Sequence, residues 1–396
     1  MATNVDVAII GTGPGGGMAA CRLAETGLRV VVLEKEHLPR RKPCGGGIPS
    51  VATRLFDWDV SPYVESQIYA VQHFLDYAQP VERTRQASIL MVDRSRFDRH
   101  LVERAVGEGH GRVTLREGFL VAGVEEREGG VTIVEQGGEA MHASFLIAAD
   151  GAFSPTAKSL GMKRGAKPAV AIDAEVEVEP DVYEAEKDRA TFNFFCLPNG
   201  YGWIFPKNGV LSCGVGSWGG KPRLQVEMTS FLERTFPKGS IRSVERFGHP
   251  IPVYSKRQQM ATRRVCLVGD AAGLVDPVMG EGIRFALISG VLAAGVVAGL
   301  LEAPLSKPLN PEVPRWGEAD CRIYERYVYR HVGADLEALA RYIVPLYLNN
   351  PGYFYRKFFL ERNSYLYLAR KLAQQFQVLS PDFVAELNED DAVTFA

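Results

Sequence analysis

Apolar and polar positions change period several times along this chain, and each change marks an element. Val5 to Ile10 is a short apolar run that predicts a strand. Gly11 to Gly16 is a glycine turn, Met18 to Glu25 a helix, and Leu28 to Leu33 a second strand ending at Glu34. Strand, tight turn, helix and strand make a βαβ unit. Residues 39–49 are rich in Pro, Gly and basic side chains and predict a loop. From Phe97 to Val106 apolar residues recur at helical spacing. Residues 113–149 alternate as several strands, with turns at Glu128-Gly129-Gly130 and Gly137-Gly138. Residues 168–217 alternate again, which predicts an antiparallel sheet. Leu224 to Phe236 returns to a helical period, and Arg264 to Val268 is a strand running into Gly269-Asp270.

The uncharged run from Phe285 to Leu301 is shorter than the roughly 20 residues that span a bilayer. It contains Gly290, Gly295 and many alanines, so it predicts a buried helix. Beyond it, Pro304, Pro308, Pro311 and Pro314 mark a linker, and the remaining residues predict helices crowded with aromatics.

Composition narrows the class. With 396 residues, 46% hydrophobic and 23% charged, the chain holds enough apolar material for two domains. A formal net charge of -2 gives no electrostatic case for a nucleic-acid partner. The cysteines at 21, 44, 196, 213, 266 and 321 share no CxxC spacing, which argues against a zinc site or a disulfide framework. The N-terminus runs into a strand without a basic and apolar leader. The expected compartment is therefore reducing and cytosolic.

Gly11-Thr12-Gly13-Pro14-Gly15-Gly16 spells GxGxxG after a strand and at the opening of a helix. Gly11 permits the tight turn, Gly13 lets the backbone approach a pyrophosphate, and Gly16 allows close helix–strand packing. The helix start offers free N–H groups to phosphates. Glu34 ends the second strand, where a carboxylate accepts from a ribose, so the motif has its full context and predicts a dinucleotide site. Gly214-Val215-Gly216-Ser217-Trp218-Gly219 spells the same pattern but carries a bulky Trp, and Lys221-Pro222 cuts it from the next helix. It is read as a decoy, leaving one dinucleotide domain and no dedicated nicotinamide domain.

The later segments separate FAD from NAD. Ala149-Asp150-Gly151 closes one strand and Gly269-Asp270-Ala271-Ala272 another; Pro277 and Gly280-Glu281-Gly282 then lead into the apolar helix at Ile283. Asp270 suits a ribose hydroxyl, and the glycine turn and helix start behind it suit negative charge on a flavin or its phosphates. In this order and spacing the segments resemble the FAD-binding pattern of the para-hydroxybenzoate hydroxylase-like flavoproteins. Arg94-Ser95-Arg96-Phe97-Asp98 is similar to that group's R-x-x-F-D stretch. Two further motifs narrow the family. Lys42-Pro43-Cys44-Gly45-Gly46-Gly47 resembles the K-P-C-G-G loop of the geranylgeranyl reductases. Tyr201-Gly202-Trp203-Ile204-Phe205-Pro206, followed after seven residues by Gly214-Val215-Gly216, resembles that family's Y-x-W-x-F-P and G-x-G signature.

With the element pattern, the resemblance implies an α/β fold in three parts. These are a discontinuous FAD-binding Rossmann-like domain (1–60, 92–165 and 262–303), an antiparallel-sheet substrate domain (61–91 and 166–261) and a helical C-terminal region (304–396). It implies cofactor contacts at Gly11, Gly13, Pro14, Gly16, Glu34 and Lys35. Further contacts are implied at Cys44, Gly45, Gly46, Arg94 and Asp150, and at Gly269, Asp270, Gly280, Gly282 and Ile283. Substrate contacts are implied at Tyr201, Trp203, Phe205 and Pro206.

The residues support these roles and also admit plainer ones. Three glycines after Cys44 let the backbone lie flat against a planar ring with the thiol, a weak acid, close to it; Cys44 also fits as a small apolar filler. Tyr201, Trp203 and Phe205 alternate on a strand and share one face. That wall suits a polyprenyl chain and positive charge on an alkene carbon, and it equally fits a core face. Arg94 is a cofactor contact or a solvated helix start. From Arg341 to Phe376 stand ten Phe and Tyr residues with Arg341, Arg356, Lys357, Arg362, Arg370 and Lys371 against one acid, Glu361. This predicts a surface for a membrane interface or a helical lid, two readings that are compatible.

The implied activity is FAD-dependent reduction of geranylgeranyl-type C=C bonds in a prenyl lipid or prenyl diphosphate. Hydride passes from flavin N5 to one carbon, and Cys44 delivers a proton to the other. NADPH, NADH or ferredoxin is the electron donor, and the setting is the cytoplasm, peripheral at a membrane through 341–376. Two rivals stand beside it. One is a flavin monooxygenase or halogenase on the same fold. The other is a non-catalytic flavin-binding docking protein, which has no use for the cysteine-glycine loop.

Overall fold

In the computed structural model, which describes residues 3–162, 169–218, 223–305, 320–361 and Leu368, the strands that are apolar on both faces form a largely parallel sheet. Thr3–Ile10 is central, flanked in parallel by Val30–Leu33 and Ala140–Ala148. Val113–Arg116 extends one side, and Val265–Leu267 joins Ala140–Ala148 on the other. Parallel sheets are covered on both faces, and Val30–Leu33 is buried at all positions. Gly130–Glu135 and Val121–Arg127 continue the sheet antiparallel. The glycine turn, Glu34, Asp150 and Gly269 thereby all follow the carboxyl ends of parallel strands, the rim where ligands of open α/β sheets lie.

Two helices meet behind this rim at glycines. The helix Pro14–Ala24 follows the turn, and the helix Ile283–Leu300 crosses it. A Cβ on Gly290 would strike the Gly15 carbonyl oxygen, and one on Gly15 would lie 3.1 Å from the Ala286 carbonyl oxygen. The glycines in the apolar run therefore permit backbone-to-backbone packing. Among the described residues Ile283–Leu300 is the one helix long and apolar enough to cross a membrane. Its 18 residues have a mean hydropathy of 2.0 and are 72% buried inside the protein, as a core helix is.

The second sheet runs in the order Ile241–Ile251, Ala169–Val178, Leu211–Ser217, Gly200–Pro206, Arg189–Phe194, Val64–Leu75, Ala78–Val92 and Gly47–Pro49. Two features depart from the sequence expectation. Arg189–Phe194 pairs parallel to Val64–Leu75, so the sheet is not wholly antiparallel. Gly47–Pro49, placed from sequence in the cofactor domain, pairs with Ile89–Met91 of this sheet. The chain thus crosses between the two sheets just after Cys44.

Glycines also shape this sheet. Gly202 lies between Tyr201 and Trp203, and a Cβ there would enter the Phe231 ring of the helix Leu224–Thr235. A Cβ on Gly214 would enter the Trp203 indole. The second GxGxxG spelling is therefore largely the strand Leu211–Ser217, where Gly214 makes room for a tryptophan; its Gly219 lies outside the described residues.

The described part of the C-terminal region is helical, with π turns at Tyr329–Gly333, Leu339–Ile343 and Arg356–Leu360. It is no separate unit. Tyr324 donates its hydroxyl to the Leu267 carbonyl at 2.9 Å, and Glu325 accepts from the Met260 and Ala261 amides at 2.7 and 2.9 Å, tying the first turns to the parallel-sheet core. Tyr355 donates to the carbonyls of His73 and Gln79, both at 2.8 Å, tying the last turns to the second sheet. Among the seven described aromatics of 341–376, Tyr347, Phe354, Tyr355, Phe358 and Phe359 are buried against Phe192 and Phe194. Over this span the lid reading holds, and most of the aromatic surface faces inward. Residues 362–376 lie outside the described residues, apart from Leu368.

Candidate active site

One cavity of about 2200 Å³ runs from the rim of the parallel sheet to the space between the second sheet and the C-terminal helices. Gly11, Gly13, Pro14, Glu34, Lys35, Asp150, Gly269, Asp270, Gly280, Gly282 and Ile283 line its first part. Cys44, Gly45, Gly46 and Arg94 line the middle, and Tyr201, Trp203 and Phe205 the wall beyond. Two predicted contacts do not line it. Gly16 packs inward, where a Cβ would meet the Gly11 carbonyl oxygen and, at 3.1 Å, the Ala149 Cβ. Pro206 is buried on the strand face opposite Phe205, as the alternation of a strand requires, and its carbonyl accepts from Ser66 Oγ at 2.8 Å.

At the glycine turn Gly11 has φ +95°, and a Cβ there would strike the Ala149 carbonyl oxygen. At Gly13 the nearest atom to such a Cβ is Arg94 Nη2, at 3.9 Å, so the turn is open toward the cavity. Glu34 accepts from the Thr12 amide at 3.0 Å, from Thr12 Oγ1 at 2.5 Å and from the Glu36 amide at 3.1 Å. Burial pushes its carboxyl up, but Thr12 and the Arg40 guanidinium more than reverse this and keep it ionised. Asp150 accepts from the Thr156 amide with one oxygen, while Oδ1 is buried without a hydrogen-bond partner among the described residues. Free helix N–H groups, an open glycine and three carboxylates at strand ends fit a dinucleotide with its phosphates and ribose hydroxyls.

Arg94 is 8% exposed, so it is no solvated helix start. Its guanidinium forks onto Asp98, with both contacts at 2.8 Å, and Arg40 reaches the same carboxylate at 3.1 Å. Burial pulls the guanidinium down, while Asp98 and, less strongly, the Cys44 sulfur raise it further and keep it charged. The R-x-x-F-D stretch thus holds a buried cation between the glycine turn and Cys44, with Phe97 packed in the core.

Around Cys44 the loop is arranged by its glycines. A Cβ on Gly45 would lie 2.8 Å from the Phe205 ring, so Gly45 lies against the aromatic wall. Gly46 has φ +79°, and its amide donates to Cys44 Sγ at 3.4 Å. Tyr201, Trp203 and Phe205 stand in one row, with ring centroids 5.9 and 6.5 Å apart. Phe192, Val71, Ile89 and Phe359 complete an apolar arm. Phe359 comes from the lid and sits 4.4 Å from the His73 ring.

Several site residues had weak sequence signals. Lys42, quoted only as part of its loop, contacts His249 Nε2 through Nζ at 2.9 Å, and His249 lies 3.9 Å from Asp270. Burial lowers Lys42; Asp270, pushed up by burial, is brought below the usual carboxylate range by His249 and Lys42. His249 comes from the far edge of the second sheet, and nothing local announces it. Asp276 is 4% exposed and borders the cavity; burial pushes it up to about 6, although the Met279 and Val278 amides donate to it. Tyr201 donates its hydroxyl to the Met279 carbonyl, so the aromatic wall is fastened to the loop before Gly280. Asp173 and Lys207 are buried charges with no motif around them in the sequence. All six cysteines are free.

Comparisons with known proteins agree with this geometry. The family described as FAD binding domain matches residues 4–295. The digeranylgeranylglycerophospholipid reductase of Methanocaldococcus jannaschii is 30% identical over 81% of this chain and 81% of its own length. The geranylgeranyl diphosphate reductase of Rhodobacter capsulatus is 30% identical over 79% of each. A geranylgeranyl bacteriochlorophyll reductase-like protein from Thermoplasma acidophilum shares the fold at TM-score 0.72 and 23% identity, covering 98% of this chain and 100% of that one. The halogenase PltM shares it at TM-score 0.68 and 17% identity, covering 97% and 85%. The chain belongs to the geranylgeranyl reductase family of FAD-dependent oxidoreductases.

Proposed function

We propose that this flavoenzyme reduces C=C bonds of a geranylgeranyl-type chain carried by a prenyl lipid or prenyl diphosphate, with Cys44 as the proton donor. The observation that carries this reading is the convergence of Cys44, Arg94 and the Tyr201–Phe205 wall on one cavity with an apolar arm. The relatives named for a prenyl phospholipid and a prenyl diphosphate support the substrate class.

The glycine turn, Glu34, Arg94, Asp150 and Asp270 hold the cofactor. FAD, once bound and reduced, supplies a hydride for one alkene carbon. Tyr201, Trp203, Phe205 and Phe192 hold the prenyl chain, exclude water and present π-faces to the positive charge that develops on the carbon accepting the hydride. Cys44 gives its proton to the other alkene carbon, and the S–H electron pair stays on sulfur. The Arg94 guanidinium beside it balances the thiolate charge. The reducing power comes from NADPH, NADH or ferredoxin.

Stopped-flow measurement of the two half-reactions in Cys44→Ser tests this. Serine is close in size and a far weaker acid, so FAD content and flavin reduction by the donor stay unchanged. Alkene reduction slows by about 100- to 10,000-fold, the usual contribution of a general acid. Equal loss in both half-reactions assigns Cys44 to positioning the ring. No loss in either makes it a packing residue. A hydroxylase or halogenase on this fold would instead consume oxygen in a substrate-coupled way, which an oxygen electrode reads directly.

A further inference from the structure

Buried charge stands against the peptide groups of Cys44. The Asp173 carboxylate borders both of the cavities that Cys44 borders, and the Cys44 amide favours its charged form. The carbonyl accepts from Lys207 Nζ at 3.3 Å. Lys207 is 4% exposed and Asp173 8%, levels that Lys and Asp reach rarely and only with partners. Asp173 also accepts from Ser212 Oγ at 3.0 Å. The three come from neighbouring strands of the second sheet: Asp173 from Ala169–Val178, Lys207 just after Gly200–Pro206, and Ser212 from Leu211–Ser217. The Lys207 stem runs beneath the loop at Gly46, where a Cβ would come within 3.3 Å of its Cε.

Burial of these charges needs a reason. Desolvating two opposite charges is costly, and apolar residues would fill the same space at lower cost. What the charges add is direction, because a carboxylate and an ammonium engaging the two peptide groups of one residue fix where its side chain starts. A small polar cavity of about 310 Å³ opens behind the loop, bordered by Cys44, Asp173, Lys207, Asp93 and Glu175. Cys44 and Asp173 also border the main cavity, so they stand in the wall between the two. Burial pushes the Asp173 carboxyl up, and Lys207, Ser212 and the Cys44 amide oppose this.

We propose that Asp173 and Lys207 are positioning residues that aim the Cys44 thiol at the alkene by clamping its amide and carbonyl from the substrate sheet. The clamp rests on the reading of Cys44 as proton donor and is testable apart from it. The variants are Asp173→Asn, Lys207→Met and the double substitution, which removes both charges without leaving one buried alone. Three quantities are measured on FAD-loaded protein: the rates of the two half-reactions, KM for a prenyl substrate, and the rate at which iodoacetamide alkylates Cys44. Peptide mass mapping separates Cys44 from Cys196, the other partly exposed cysteine, which serves as internal control.

The expected result is unchanged flavin reduction, alkene reduction slowed by about 100-fold as for a reacting group misplaced by an ångström, little change in KM, and a faster alkylation of Cys44 alone. Unchanged alkylation with unchanged alkene reduction in the double variant overturns the clamp. Faster alkylation of Cys44 with full alkene reduction supports the clamp and counts against Cys44 as donor, which Cys44→Ser decides independently.

Discussion

Asp98 is fully buried and holds two guanidinium groups at once, those of Arg94 and Arg40. Removing one member of such a group leaves uncompensated charge in the interior. Asp98→Ala is therefore expected to cost about 3–5 kcal/mol of stability, read by urea denaturation, and to release FAD on gel filtration. A variant as stable as the parent would show that the two arginines find other partners. Asp270→Ala is milder, since Lys42 and His249 remain within reach of one another. It should weaken FAD retention at full folding, and unchanged flavin occupancy would argue against a direct contact. At this scale the sequence was legible where a role is local. The three glycines of the turn differ in what a Cβ would meet, as their spacing implies. Asp173, Lys207 and His249 were not legible, because their partners are brought in by sheet pairing across more than a hundred residues of chain.

At the scale of elements, the loop from Asp276 to Gly282 joins the aromatic wall to the start of the core helix. Asp276 accepts from two amides there and is raised from the ordinary 3.8 to about 6 by burial. An acid raised on folding makes the native state bind more protons than the unfolded chain between those values. Its contribution is thus most favourable below pH 3.8 and declines as pH rises toward 6. Asp276→Asn keeps an acceptor for both amides and removes this dependence. The difference in urea midpoint between variant and parent should grow in favour of the variant from pH 4 to pH 6 and then level off; a constant difference would contradict the assignment. The lid carries a second expectation. Phe359 packs on His73 and Phe194, with ring centroids 4.4 and 4.8 Å apart, and borders the apolar arm. Phe359→Ala should cost about 3–5 kcal/mol and raise KM for long prenyl chains more than for short ones, measured with substrates of graded length. The βαβ unit was readable from its period and glycine turn, and the core helix from the length and small residues of its uncharged run. The pairing of Gly47–Pro49 with Ile89–Met91 was not, since three residues show no period. The aromatic lid was ambiguous because composition does not say which way a ring faces.

For the whole molecule, two sheets and a bridging helical segment surround the main cavity, and each supplies part of its wall. The order of the motifs disclosed this architecture, while the crossing of the chain at Cys44 appeared only with the sheet registers. The arrangement bears on lipid contact. With most of the described aromatics of 341–376 buried, a membrane contact through this region would rest mainly on its basic residues. Such binding to anionic vesicles should weaken steadily as salt is raised past the physiological range, where the Debye length falls below about 8 Å. Flotation that persists in high salt would instead point to inserted apolar groups. The most direct test of the central claim is anaerobic incubation of the FAD-loaded, chemically reduced protein with geranylgeranyl substrates, read by mass spectrometry. Products should be heavier by two hydrogens per reduced bond, and by two deuteriums when reduction and incubation are carried out in D2O, because the N5–H of reduced flavin and the thiol both exchange with solvent. No mass gain without oxygen, together with oxygen incorporation in air, would contradict it.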